Sequence, residues 1–89
     1  MSDIEAAILH RLVDPETPNL SVEAAQSLLA IKFSPEDVSR MHELLDKANA
    51  GTMTPEEQEE SLTYERVGHM LALLQSKARK SLKDSHSAA

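Results

Sequence analysis

Apolar residues recur along this chain at three- and four-residue intervals, the spacing of one face of an α-helix. Ile4, Ala7, Ile8 and Leu12 share a face over residues 3–13, and Ala25, Leu28, Leu29 and Ile31 share one over 22–31. Val38, Met41, Leu44, Leu45 and Ala48 form a stripe over 35–50. Leu62, Val67, Met70, Leu71, Leu74, Ala78 and Leu82 form another over 55–83. The pattern predicts four helices.

Capping residues fix where these helices begin. Ser2 stands three residues before Glu5, a capping-box spacing, and Ser21 can cap a helix beginning at Val22. Ser34-Pro35-Glu36-Asp37 and Thr54-Pro55-Glu56-Glu57 share one grammar: a hydroxyl cap, a proline at the first helical position, then acids. The hydroxyl accepts from an orphan N–H, proline lacks only a donor that has no partner there, and the acids meet the positive end of the helix dipole. Pro15 and Pro18 end the first helix near Val13 or Asp14, and Gly51 can take the left-handed conformation that closes the third.

The third and fourth helices, joined by Gly51-Thr52-Met53, should form an antiparallel αα-hairpin. The fourth, over 55–83, would be about 43 Å long, beyond what the third can cover. Its free half predicts a helical-bundle homodimer in which Val67, Met70, Leu71, Leu74, Ala78 and Leu82 form a protein interface. Gly68 interrupts the fourth helix, either for the close approach of another helix, from within the chain or from a second copy, or as a tolerated glycine.

Composition agrees with an all-α fold. The chain has 89 residues, no cysteine, and Phe33 and Tyr64 as its only aromatics. That length predicts one helical domain over 1–84 and a disordered tail over 85–89. Asp3 and Glu5 stand where a signal peptide would need positive charge. No apolar run approaches the ~20 residues of a membrane span. The expectation is a cytoplasmic protein.

The net charge of −6 is unevenly spread. Residues 1–60 carry 13 acids and 4 bases, and residues 61–89 carry 2 acids and 5 bases. An acidic body suits a basic protein partner and disfavours nucleic acid, whose phosphates need Lys and Arg. Lys77, Arg79, Lys80 and Lys83 complement the last turns of a helix dipole, or form an electrostatic anchor for an acidic partner surface.

Chemistry is sparse. His10/Asp14, His42/Asp46 and Glu65/His69 are pairs at helical spacing, and a metal site needs three or four ligands. No nucleophile elbow and no glycine-rich phosphate loop is present. The residues predict no enzyme, no metal and no cofactor. Residues 22–48 can also be read as a helix–turn–helix, the alternative being a small DNA-binding transcriptional regulator. Its recognition helix would then open with Glu36 and Asp37, which repel phosphates.

Several stretches carry a family resemblance: Asn19-Leu20-Ser21-Val22-Glu23-Ala24-Ala25 through Leu28-Leu29-Ala30-Ile31-Lys32-Phe33, then Met41-His42-Glu43-Leu44, Lys47-Ala48 and Gly51-Thr52-Met53-Thr54-Pro55-Glu56-Glu57, and finally Tyr64-Glu65-Arg66-Val67-Gly68-His69 with Leu71-Ala72-Leu73-Leu74-Gln75-Ser76-Lys77-Ala78-Arg79. Across about residues 8–83 the chain resembles a group of small uncharacterised bacterial helical proteins, most specifically in the Leu74–Arg79 ending. The resemblance implies an accessory protein encoded beside HNH-type nuclease genes, hence an antitoxin-like or regulatory partner of a nuclease. It carries over no catalytic residue.

Overall fold

A computed structural model describes residues 3–88, with side chains described through Ser85. The order is α1 (Asp3–Val13), α2 (Val22–Leu29), α3 (Pro35–Ala50) and α4 (Pro55–Ala88). No strand occurs among the described residues.

Three of the expected helix starts have the expected caps. Ser21 Oγ accepts from the Ala24 N–H and Ser34 Oγ from the Asp37 N–H, both at 3.1 Å. Thr54 and Glu57 form a reciprocal box: Thr54 Oγ1 accepts from the Glu57 N–H at 3.1 Å, and Glu57 Oε1 accepts from the Thr54 N–H at 3.0 Å. The Ser2 cap lies outside the described residues. Gly51 closes α3 with φ 71°, its N–H donating to Ala48 O and the Thr52 N–H to Lys47 O. Asp14 ends α1, also left-handed at φ 52°, and its carboxylate accepts from Thr17 Oγ1 at 2.6 Å.

Two boundaries differ from expectation. α2 stops at Leu29 rather than Ile31, because Gln75 Nε2 on α4 donates to the carbonyls of Leu28 (3.2 Å) and Ile31 (2.7 Å). Those acceptors no longer need further helix, and the chain can extend toward Pro35. At the other end, α4 runs to Ala88 rather than ending near residue 83, and the last position of the predicted tail lies outside the described residues. No glycine or proline follows Gly68 to stop it.

α4 is the spine. Its 34 residues span about 51 Å, which accounts for the 53 Å long axis of the molecule. α1, α2 and α3 each pack on α4, and their backbones do not approach one another closely. Three short helices on one long one make a slab 16 Å thick in its shortest dimension. The radius of gyration is 16.1 Å, where a compact chain of this length has about 12 Å.

A slab has little interior. Among the described residues the buried apolar side chains are Pro15, Ala25, Leu44 and Ala78. The segment after α1 lies along the C-terminal half of α4. There Lys77 Nζ donates to the carbonyls of Val13 (2.8 Å) and Asp14 (3.2 Å), and Ser81 Oγ accepts from the Leu20 N–H at 3.2 Å. Lys80 pairs with Glu16 beside them.

Candidate functional site

Two features lie on the α4 spine: a charged clamp at the α3–α4 hairpin and an apolar furrow along the middle of α4. The clamp follows from the hairpin's antiparallel register. Arg40 on α3 meets Glu60 on α4 through two 2.8 Å hydrogen bonds, and also reaches Glu43 at 3.2 Å and Glu57 at 3.3 Å. Lys47 donates to Glu57 at 2.6 Å. Lys47, with the Thr54 N–H, holds the Glu57 carboxyl down at about 2, and Arg40 lowers Glu60 likewise. Glu60 and Glu43 in turn raise the Arg40 guanidinium further. Tyr64 donates to Asp37 at 2.7 Å, which pushes its phenol up. Every charge here has a partner within the cluster, so the clamp joins two helices and presents no free acid–base pair.

Exposed acids surround the clamp. Glu36, Asp46, Glu56 and Glu59 all face outward at this end of the molecule. The acid run at 56–60 therefore divides: Glu57 and Glu60 turn inward to cations, and Glu56 and Glu59 remain on the surface.

The furrow is apolar. Its two adjoining hollows, of about 420 and 380 Å³, share Met70 and Leu74. One is walled by Ile31, Phe33, Val67 and Leu71, the other by Leu9, Leu12 and Leu28. The Phe33 ring closes the near end, edge-on to Tyr64 with centroids 6.2 Å apart. It lies over Gly68, where an added Cβ would come 4.0 Å from the ring. Gly68 thus meets a neighbour from within the chain.

The predicted interface residues divide. Val67, Met70, Leu71 and Leu74 line the furrow. Leu82 is half-buried outside it, and Ala78 is fully buried. Ala78 cannot be an interface residue in this arrangement, because the chain's own helices already cover it. The predicted anchor divides as well. Lys77 is buried against the end of α1 and Lys80 pairs with Glu16, which leaves Arg79 and Lys83 on the surface.

The α1 stripe is inverted relative to expectation. Ile4 and Leu12 are 75% and 78% exposed, and Ile8 is exposed too. Leu9 and Val13 are the half-buried apolar residues of α1, and with Leu12 they line the furrow. Sequence periodicity missed Leu9, Ile31 and Phe33 as furrow residues. The available signal was that α1 is apolar on two faces, Ile4-Ile8-Leu12 and Leu9-Val13.

The backbones of α2 and α3 do not approach each other closely, whereas the two helices of a helix–turn–helix pack together. Arg40 and Lys47, the bases of the would-be recognition helix, are held in the clamp. Among the described residues no three His, Asp or Glu side chains converge as metal ligands. No helix among them is long and apolar enough to cross a membrane. No protein-family model, curated protein or solved structure matches this chain.

Proposed function

We propose that this protein is a small acidic interaction module that works as a homodimer and regulates a basic partner protein in antitoxin-like fashion. One observation carries the reading: the α3–α4 end bears an outward acidic surface while Arg40 and Lys47 of α3 are paired with carboxylates of their own hairpin. Arg40 and Lys47 are spent on Glu43, Glu57 and Glu60. Glu36, Asp46, Glu56 and Glu59 stay exposed around them. A basic surface docking there meets uncompensated negative charge, which steers association and sets orientation. The resemblance to accessory proteins extends the proposal to one partner class, a nuclease with a basic substrate cleft.

The test is affinity capture of the tagged chain from its native cells. A basic protein should come down at near-stoichiometric amounts and be released as salt rises from about 0.1 to 0.5 M, since surface charges are then screened. The double substitution Glu56→Gln, Glu59→Gln should weaken capture without lowering Tm, as neither carboxylate contributes to the clamp. Capture indifferent to both salt and substitution would sink the reading.

A further inference from the structure

We propose that this chain cuts itself at the Asp14–Pro15 bond, with the Asp14 carboxyl as nucleophile and Lys77 as the cation that holds the scissile carbonyl. The proposal goes beyond the interaction reading, and neither depends on the other.

The residue types come first. An aspartyl carboxyl can act as a nucleophile, and it closes a five-membered ring when it attacks its own main-chain carbonyl carbon. A proline nitrogen belongs to a tertiary amide, which takes up a proton and leaves more readily than a secondary one. The sequence holds one Asp-Pro pair, Asp14-Pro15.

The local backbone points to the same bond. Asp14 has a positive φ of 52°, which among the described residues only Gly51 shares in sign. A residue before proline is pushed toward extended backbone. The link to Pro15 therefore opposes the conformation that Asp14 adopts, and breaking it relieves the conflict.

The polar contacts then fit the reaction. Thr17 Oγ1 holds Oδ2 of the Asp14 carboxyl at 2.6 Å, leaving Oδ1 to attack. Two donors meet on the Asp14 carbonyl oxygen: the Thr17 N–H at 3.1 Å and Lys77 Nζ at 3.2 Å. Negative charge develops on that oxygen as the carbon turns tetrahedral, and donors already aimed at it lower the barrier. Lys77 is buried, so little water competes for its charge. Asp14 is exposed, so water reaches the product of the first step.

The reaction balances with one water. Oδ1 of the protonated carboxyl bonds to the Asp14 carbonyl carbon, and the carbonyl π pair moves onto the oxygen held by Lys77 and Thr17. That pair returns, and the C–N bond to Pro15 breaks with its electrons staying on nitrogen. The nitrogen takes the carboxyl proton. The cyclic anhydride left on Asp14 adds water and opens to two carboxyl groups. Residues 15–89 then begin with the secondary amine of Pro15, and α1 is cut from the chain.

Cleavage speeds up as pH falls, because the attacking carboxyl supplies the proton. The titratable groups around it are Lys77 and Lys80 from α4, Glu16 from the connecting segment, and His10 one turn back in α1.

The test incubates the full chain at about pH 5, where the Glu57 contribution to stability is fully present. The same chain in about 8 M urea is the unfolded reference, and mass spectrometry follows the fragments 1–14 and 15–89. The folded chain should be cut faster than the unfolded one by about tenfold or more. Asp14→Asn keeps a residue tolerated at positive φ and should abolish cleavage. Lys77→Met should slow it by about tenfold or more, with circular dichroism confirming the helices. Ser81→Ala loosens the same segment at Leu20 without touching the Asp14 carbonyl, and Glu16→Gln removes the neighbouring carboxyl. Both should stay close to the unsubstituted rate. An intact folded chain, cleavage at another bond, or equal rates with and without urea would overturn the proposal. Equal slowing by Lys77→Met and Ser81→Ala would overturn the role of Lys77 at the carbonyl.

Discussion

Arg40 on α3 holds Glu60 on α4 in a fork, Nε to Oε2 and Nη2 to Oε1, each at 2.8 Å. The planar guanidinium matches the carboxylate in two places at once, which fixes orientation as well as distance. It fastens the hairpin well away from Gly51, so the angle between α3 and α4 does not depend on the turn alone.

Arg40→Lys keeps the charge and loses the fork. A lysine offers one point charge where two directed bonds are needed. The expected outcome is a Tm lowered by a few degrees, with a larger loss for Arg40→Met, which leaves Glu60 without its cation while Glu57 keeps Lys47. Calorimetry of both variants checks this, and an unchanged Tm in both would make the fork dispensable.

Glu57 gives the fold a defined acid sensitivity. Its carboxyl titrates at about 2 in the folded chain, against 4.5 when unperturbed. Between those values the unfolded chain binds the extra proton, so stability rises with pH across the window and falls as pH drops from about 4.5 toward 2. Above 4.5 this contribution is fully present. Urea melts in the presence of 0.5 M salt at pH 5, 4 and 3 should show the decline, and Glu57→Gln should flatten it while lowering stability at pH 7.

Gly68 is open to improvement. The ring of Phe33 leaves room for a methyl group, since an added Cβ would sit at ordinary contact distance, 4.0 Å. Alanine is favoured over glycine inside a helix by about 1 kcal/mol. Gly68→Ala should therefore raise Tm by about 4–8 °C for a chain of this size. A lowered Tm would mean that the helix needs the gap for a neighbour other than Phe33.

Helix positions were legible in the sequence because their signals are local. A Ser or Thr cap, a proline after it and acids in the first turn act within four residues, and Ser34-Pro35 and Thr54-Pro55 sit where α3 and α4 begin. The early end of α2 was not legible, because it depends on Gln75, 44 residues beyond Ile31. Periodicity identifies a stripe without saying what covers it. Leu44 and Leu45 belong to one predicted stripe, yet Leu44 is buried and Leu45 is 60% exposed. The clamp was illegible for the same reason: Arg40 and Glu60 become partners only once the hairpin closes.

That contrast between neighbours is itself testable. Leu44→Ala removes a buried side chain from a chain with few others, and should cost about 2–5 kcal/mol. Leu45→Ser removes a side chain that already faces water, and should change stability by less than about 0.5 kcal/mol. Equal losses in urea melts would show that Leu45 is covered in solution.

Lys77 ties α1 to the spine. Its ammonium donates to the carbonyl of Val13, the last residue of α1, and to that of Asp14, which also accepts from the Thr17 N–H. The lysine is 9% exposed, and the positive charge also meets the negative end of the α1 dipole. Lys77→Met keeps the aliphatic stem and leaves the Val13 carbonyl without the lysine donor, at a cost of about 1–3 kcal/mol. α1 makes few other attachments, through Leu9 and Val13, so the loss should appear as local opening. Amide hydrogen exchange should speed up across Ile8–Val13 while α4 around Leu74 keeps its protection. Uniform acceleration along the whole chain would mean instead that α1 and the spine unfold as one unit.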